Sequence, residues 1–326
     1  MILVLTTEAG DYSHPRIIDW LNYYNADYFI LTGESIFSGR NKVYARGNKI
    51  YVNDVNLTDE VTVVFNRRWM TTAELPNLTP DSILNKGIKN SIYSELYDFR
   101  EFLSFSLDKA LWIPNFSSTN VNKLKLLEYA RSFKINIPDY IVTNNKEELL
   151  KFFNEKKKII TKAIGNFPIT KTIDNLNLNP IFTKFVTEDL IDKLPNRFFI
   201  SLLQEYIPKD REYRVLFFND EFYSTEILSQ EYSGSIIDSR NVENSSNIRI
   251  IKSDLPLALK GKLRKLMRKI NLIIGSIDII ESNGKFYFLE VNPVGQMSGY
   301  STRANLDFEK NIVEFMIKYD ETRKKK

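Results

Sequence analysis

A chain of 326 residues with 43% apolar content is long for one core and is expected to divide into two or three lobes. Its 45 lysines and arginines against 41 acids leave a net +4, too small to imply a nucleic-acid partner, and a single histidine with no cysteine leaves no material for disulfides, thiol nucleophiles or a multi-histidine metal site. The opening "MILVLTT" lacks a basic flank and no run approaches the ~18 apolar residues of a spanning helix, so the chain reads as soluble and cytoplasmic, without a membrane partner.

In chain order, residues 2–6 read as a buried strand, 15–24 as a helix, 28–31 as a second strand and 61–66 as another, the alternation of an α/β lobe with a largely parallel sheet. "YARGNKIYVNDVNL" alternates around Gly-Asn and predicts a hairpin. A long aromatic-rich helix is predicted over 91–109. "WIPNFSSTN" then breaks the pattern, which puts the end of the first lobe at residue 114. Val121, Leu124, Leu127 and Ala130 recur at helical spacing behind a cap at Thr119 or Asn120. A strand in "INIPDYIVT", a helix over about 145–156 and strands in "KIITKAI" and near "PIFTKFV" carry a central lobe to residue 200. The third lobe, 201–326, opens with "FISLLQEYI" and "EYRVLFFNDEFYSTEIL", whose Asn-Asp-Glu suits a hairpin turn. A helix from a cap at Ser253 to Ile270, a strand in "IIGSIDII" and a helix over 308–319 complete it.

The chemistry concentrates in "GSIDIIESNGKFYFLEVNP". Successive strand residues point to opposite faces, so Glu290 and Asn292 share one face, and Pro293, which cannot donate a ladder hydrogen bond, ends the strand beside them. Any alternating strand has a solvated polar face, so the partner on the preceding strand matters. A two-residue Asn-Gly loop would pair Asp278 with Leu289 and turn it away from Glu290. A three-residue loop, Ser282-Asn283-Gly284, pairs Asp278 with Phe288 and makes Glu290 its diagonal neighbour at roughly 7 to 8 Å. Asp, Glu and Asn on one face match magnesium, which takes one or two carboxylates and fills its shell with water and substrate phosphate.

These residues resemble the ATP-grasp ligases, in which an Asp on one strand and a Glu-x-Asn on the next hold magnesium beneath ATP. The resemblance continues upstream in the same order: "NKLKLLEYA" with Lys123, "IITKAI" with Lys162, then "LLQEYIPKDREYRVLFF". It covers residues 115–317 and implies an α/β ATP-grasp fold behind an N-terminal pre-ATP-grasp lobe. By position it implies that Lys123 and Lys162 bind phosphates or the adenine edge, that Gln204, Glu205, Tyr206 and Ile207 meet adenine, and that Glu212 binds ribose or magnesium. Arg214 would hold phosphate or the reacting carboxylate, and Asp278, Glu290 and Asn292 would be the metal ligands. Many relatives carry a glycine-rich loop after the second lysine; here "TKAIGNFPITKT" has Gly165 alone.

That departure is similar to the microviridin-type, or grasp-with-spasm, peptide maturases, the graspetide macrocyclases. Two further stretches resemble them: "VVFNRRWM", with Arg67 and Arg68 as candidate peptide contacts, and "DSR", with Arg240 as a candidate grip on a substrate carboxylate. The resemblance implies ATP and Mg2+ as cofactors and a ribosomal precursor peptide, leader plus core, as partner, with a homodimer allowed for. The implied reaction activates Asp or Glu side chains as acyl phosphates and joins them to Thr or Ser hydroxyls as ω-esters. An amide-forming ATP-grasp ligase is the alternative.

Overall fold

The computed structural model, which describes residues 1–8, 10–70, 75–165, 171–173, 176–178, 183–228 and 248–325, opens with the expected alternation. In order come β1 (Ile2–Thr6), α1 (His14–Tyr23), β2 (Tyr28–Thr32), α2 (Gly33–Phe37), β3 (Val43–Arg46), β4 (Lys49–Val52), β5 (Val55–Asn56), α3 (Leu57–Glu60), β6 (Val63–Asn66), α4 (Ser82–Ser106) and β7 (Leu111–Ile113). Strands β2-β1-β6-β7 form a four-stranded parallel sheet, its inner strands continuous apolar runs as burial on both faces requires. The hairpin around Gly47-Asn48 forms, and β5 adds a third strand to it.

Helix α4 begins at Ser82 rather than at 91, because Asp81 caps it by accepting the Leu84 amide. The stretch expected to break the pattern begins inside β7, whose Trp112 and Ile113 are buried beside β6.

Next come α5 (Lys123–Ser132), β8 (Tyr140–Asn145), α6 (Lys146–Lys156), β9 (Ile159–Lys162), β10 (Lys171–Ile173), β11 (Leu176–Leu178), β12 (Lys184–Phe185), α7 (Glu188–Lys193) and β13 (Arg197–Glu205). The cap of α5 is Asn122, which accepts the Lys125 amide, not Thr119 or Asn120. Strands β12-β9-β13-β8 form an antiparallel sheet over a core of Leu149, Phe152, Ile159, Val186, Ile191 and Leu203. The break expected between 200 and 201 falls inside β13, which pairs in this sheet as far as Glu205.

The remainder is β14 (Arg211–Phe218), β15 (Glu221–Ile227), β16 (Ile250–Ser253), α8 (Leu257–Lys269), β17 (Ile274–Ser282), β18 (Lys285–Asn292), α9 (Ser298–Arg303) and α10 (Phe308–Lys324). Ser253 is not a cap: it ends β16 opposite Ser224, and α8 starts after Pro256. Strands β16-β15-β14-β17-β18 form an antiparallel sheet with two faces. Val215, Phe217, Ile277, Ile279, Phe288 and Val291 pack on α5 and α8. Leu216, Phe218 and Ile274 instead share a core with α10 and with β1, β6 and α1 of the other end of the chain.

Candidate active site

Asn283 and Gly284, with φ of 48° and 71°, close β17 and β18 as a two-residue turn in which Ser282 pairs with Lys285. The three-residue loop expected to give a shared polar face does not form. The register instead shifts by one residue between Asp278 and Ile279, leaving Leu289 bulged and Asp278 directly opposite Glu290. The bulge, rather than the turn, brings the two carboxylates together, and as direct rather than diagonal neighbours.

Alternation then builds a charged row across three strands. Arg214 pairs in register with Asp278, and Asp278 with Glu290. The Arg214 guanidinium donates to Asp278 Oδ1 and lies over the Tyr300 ring at 5.0 Å. Lys123 Nζ, on the first residue of α5, reaches Glu290 Oε2 at 3.2 Å and donates to the Ala163 carbonyl at the end of β9 at 3.1 Å. Asn292 Nδ2 lies 3.4 Å from Glu290 Oε1 and 3.5 Å from Asp278 Oδ2.

Burial pushes the Asp278 carboxyl up to about 6; Arg214 opposes that shift and Glu290 adds to it. Glu290 moves the other way, because the charges of Lys123 and Lys162 outweigh its own burial. Arg214 would lose basicity through burial, but the Asp278 charge holds it well above its ordinary value. Opposite charges thus face one another across the site, Arg214, Lys123 and Lys162 against Asp278 and Glu290.

Two carboxylates and an amide on one face form a hard-oxygen set that fits magnesium, and the amide offers its oxygen when turned over. Among the described residues no three His, Cys, Asp or Glu side chains gather as a metal cluster, so water and phosphate would fill the rest of the shell. Glu212 lies near enough for its charge to act on Asp278.

At the end of β13, Gln204 is buried and its Nε2 has no hydrogen-bond partner among the described residues, a polar atom suited to a ligand. The amides of Glu205 and Tyr206 donate to the carbonyls of Asp139 and Lys158, so neither amide is open to a nucleotide base. The Tyr206 ring meets Phe185 edge-on at 4.8 Å, and Ile207 follows it half-buried.

Arg67 and Arg68 differ. Arg67 is fully buried, ion-paired with Asp11 at 3.3 Å and donating to the Gly295 carbonyl at 3.2 Å, which fits an internal tie and not a peptide contact. Arg68 is partly exposed, with Nε unpartnered among the described residues. Arg240 lies outside the described residues. Sequence reasoning missed Tyr300, Asp11 and Ser13, whose partners are distant in the chain and leave no local signal.

No protein-family model matches this chain, and no curated protein does. Solved structures do. Macrocyclase MdnC from Microcystis aeruginosa MRC, bound with precursor peptide MdnA, is 24% identical with a TM-score of 0.79, over 97% of this chain and 99% of that one. A RiPP-associated ATP-grasp ligase from Chryseobacterium gregarium, in complex with ADP and a leader and core peptide, is 22% identical with a TM-score of 0.80, over 97% and 96%. The ATP-grasp ligase PsnB, complexed with minimal precursor, Mg and ADP, is 16% identical with a TM-score of 0.76, over 98% and 97%. The chain thus has the α/β ATP-grasp fold, which the motif order over residues 115–317 implies.

Proposed function

We propose that the protein is an ATP-dependent, ADP-forming ligase that activates Asp or Glu side chains of a ribosomal precursor peptide as acyl phosphates and joins them to Thr or Ser hydroxyls, closing ω-ester macrocycles. The row Arg214–Asp278–Glu290, with Lys123 at its end, is the observation that carries the reading. It stands in a fold whose solved neighbours are described with ADP, magnesium and precursor peptides.

In this reading the three lobes are 1–114, 115–200 and 201–326, with β13 crossing the second boundary. Gln204 and the half-buried segment through Ile207 receive the adenine, and Lys123 and Lys162 present positive charge to the phosphates. Asp278, Glu290 and Asn292 would hold magnesium, with Glu212 at their margin. Magnesium, when bound, offsets the charge that develops on the transferring phosphoryl group. Arg214, partly buried and held charged, presents a planar fork to the phosphate or the carboxylate under activation. Arg68 and Arg240 are assigned to the peptide.

The test is the intact mass of a candidate precursor after incubation with protein, ATP and magnesium, followed by mild alkali. Loss of one water per ring, reversed by alkali, is expected. Alkali-stable losses would replace esters with lactams, and ATP consumption without loss of water would replace cyclisation with amino-acid addition, which a gain of one residue on supplying free amino acids would then show. Glu290→Gln is expected to abolish product and ADP formation while the far-ultraviolet circular dichroism stays that of the parent.

A further inference from the structure

The turn that follows Asn292 is gripped from the far end of the chain. Residues 292–295 close with the Gly295 amide on the Asn292 carbonyl at 3.3 Å. Gly295 is pressed so closely on the hairpin that a Cβ there would stand 3.0 Å from Asn292 Cβ and 3.1 Å from Ser276 Cβ. Its carbonyl accepts from Arg67 Nη2 at 3.2 Å, and Arg67 is fixed by Asp11, both side chains being at most 1% exposed. Asp11 in turn accepts the Ser13 amide at 3.0 Å. Ser13 accepts the Met297 amide at 3.2 Å, and its hydroxyl donates to Gln296 Oε1 at 3.1 Å. Ser298 adds a hydroxyl contact to the Ser13 carbonyl at 3.4 Å.

Arg67 follows β6, and Asp11 and Ser13 lie between β1 and α1, so every anchor belongs to the carboxyl edge of the parallel sheet. The residues they hold are those that follow β18 directly. Arg67 is buried this deeply and turned toward internal partners, so it is not presented to a substrate, yet it touches the backbone that sets where Asn292 ends.

We infer that Arg67, Asp11 and Ser13 are positioning residues that fix the turn after β18 against Asn292, so that the N-terminal sheet sets the geometry of the candidate magnesium site. The inference rests on the proposed function for the identity of that site. Groups that orient metal ligands from behind characteristically alter metal affinity when removed, with the ligands themselves untouched. The β18 turn therefore couples two sheets that the chain connects only through most of its length.

The test is calorimetric binding of ADP to the full-length protein, with and without magnesium, for the parent, Arg67→Lys and Ser13→Ala. Arg67→Lys keeps a charge for Asp11 but loses the fork that also reaches Gly295; Ser13→Ala removes the grip on Met297 without stranding a buried charge. Each variant is expected to bind ADP alone as the parent does and to lose roughly tenfold of the magnesium-dependent gain in affinity. Loss of overall stability alone would lower the melting temperature and weaken both affinities alike, which overturns the inference. So would a parental magnesium gain in both variants. A parent protein with no magnesium gain at all would remove the functional reading and the inference with it.

Discussion

Asp11 shows how much one buried carboxylate can decide. Burial alone would raise its pKa, but Arg67 and the Ser13 amide together hold it below the ordinary 3.8. A folded-state pKa below the unfolded one contributes stability that is present above the unfolded value and is lost as pH falls through the folded one. Asp11→Asn leaves Arg67 buried without its counter-charge and is expected to cost about 3 kcal/mol near neutral pH. That deficit should shrink as pH falls below about 4, where the unfolded parent takes up the Asp11 proton first, and disappear as pH falls through the lower folded-state value; urea unfolding at stepped pH checks both. Nothing local in "AGDYSHPR" marks Asp11 as different from any loop acid. The acids at 278 and 290 were legible because strand alternation limits where their side chains can point.

At the scale of elements, the hairpin carries the lesson of register. Alternation was readable from "GSIDII" and "FYFLEVN", and the Asn-Gly turn was readable too, but the two together predicted carboxylates on opposite faces. The bulge at Leu289 reconciled them, and bulges have no dependable sequence mark. Helix starts show the same limit: Ser253 and Asn120 are good caps by type, yet Ser253 is taken up by β16 and α5 begins only at Lys123. Close approaches are equally invisible in sequence. Gly33, whose amide donates to the Trp69 carbonyl at 2.8 Å, would place a Cβ 2.7 Å from Met70 Cβ. Gly33→Ala must therefore push apart the start of α2 and the segment after β6. A loss of about 1–3 kcal/mol in denaturant unfolding is expected, with affinity for ADP in the absence of magnesium unchanged because the residues assigned to the nucleotide lie outside this contact.

For the whole molecule, the distribution of cores matters most. Ile2, Val4 and Phe65 of the parallel sheet share one core with Leu216, Phe218 and Ile274 of the antiparallel sheet and with Phe308, Ile312, Val313 and Met316 of α10. The four-stranded antiparallel sheet keeps a separate core of its own. The first and last parts of the chain thereby share one core, whereas the central sheet reaches the charged row of the hairpin through Lys123 of α5, which donates to the Ala163 carbonyl just after β9 and ion-pairs with Glu290. Ile312→Ala, at a fully buried position, is expected to cost about 2–5 kcal/mol. Native-state hydrogen exchange should show protection falling in β1 and at the end of β14 together, with β9 and β13 unaffected. Protection lost in β1 alone would contradict a shared core.

The alternation of the parallel lobe, the amphipathic helices, the polar strand faces and the order of the motifs were legible in the amino-acid sequence, because each depends on periodicities of a few residues. The sequence also limited the chemistry to carboxylates, amides, lysines and arginines, since cysteine is absent and histidine single. The pairing of Asp278 with Glu290, the burial of Arg67 against Asp11 and the core shared by both ends of the chain became visible with the folded arrangement. Those outcomes depend on contacts between residues far apart in the chain, where packing and charge pairing choose among arrangements that local propensity leaves equal.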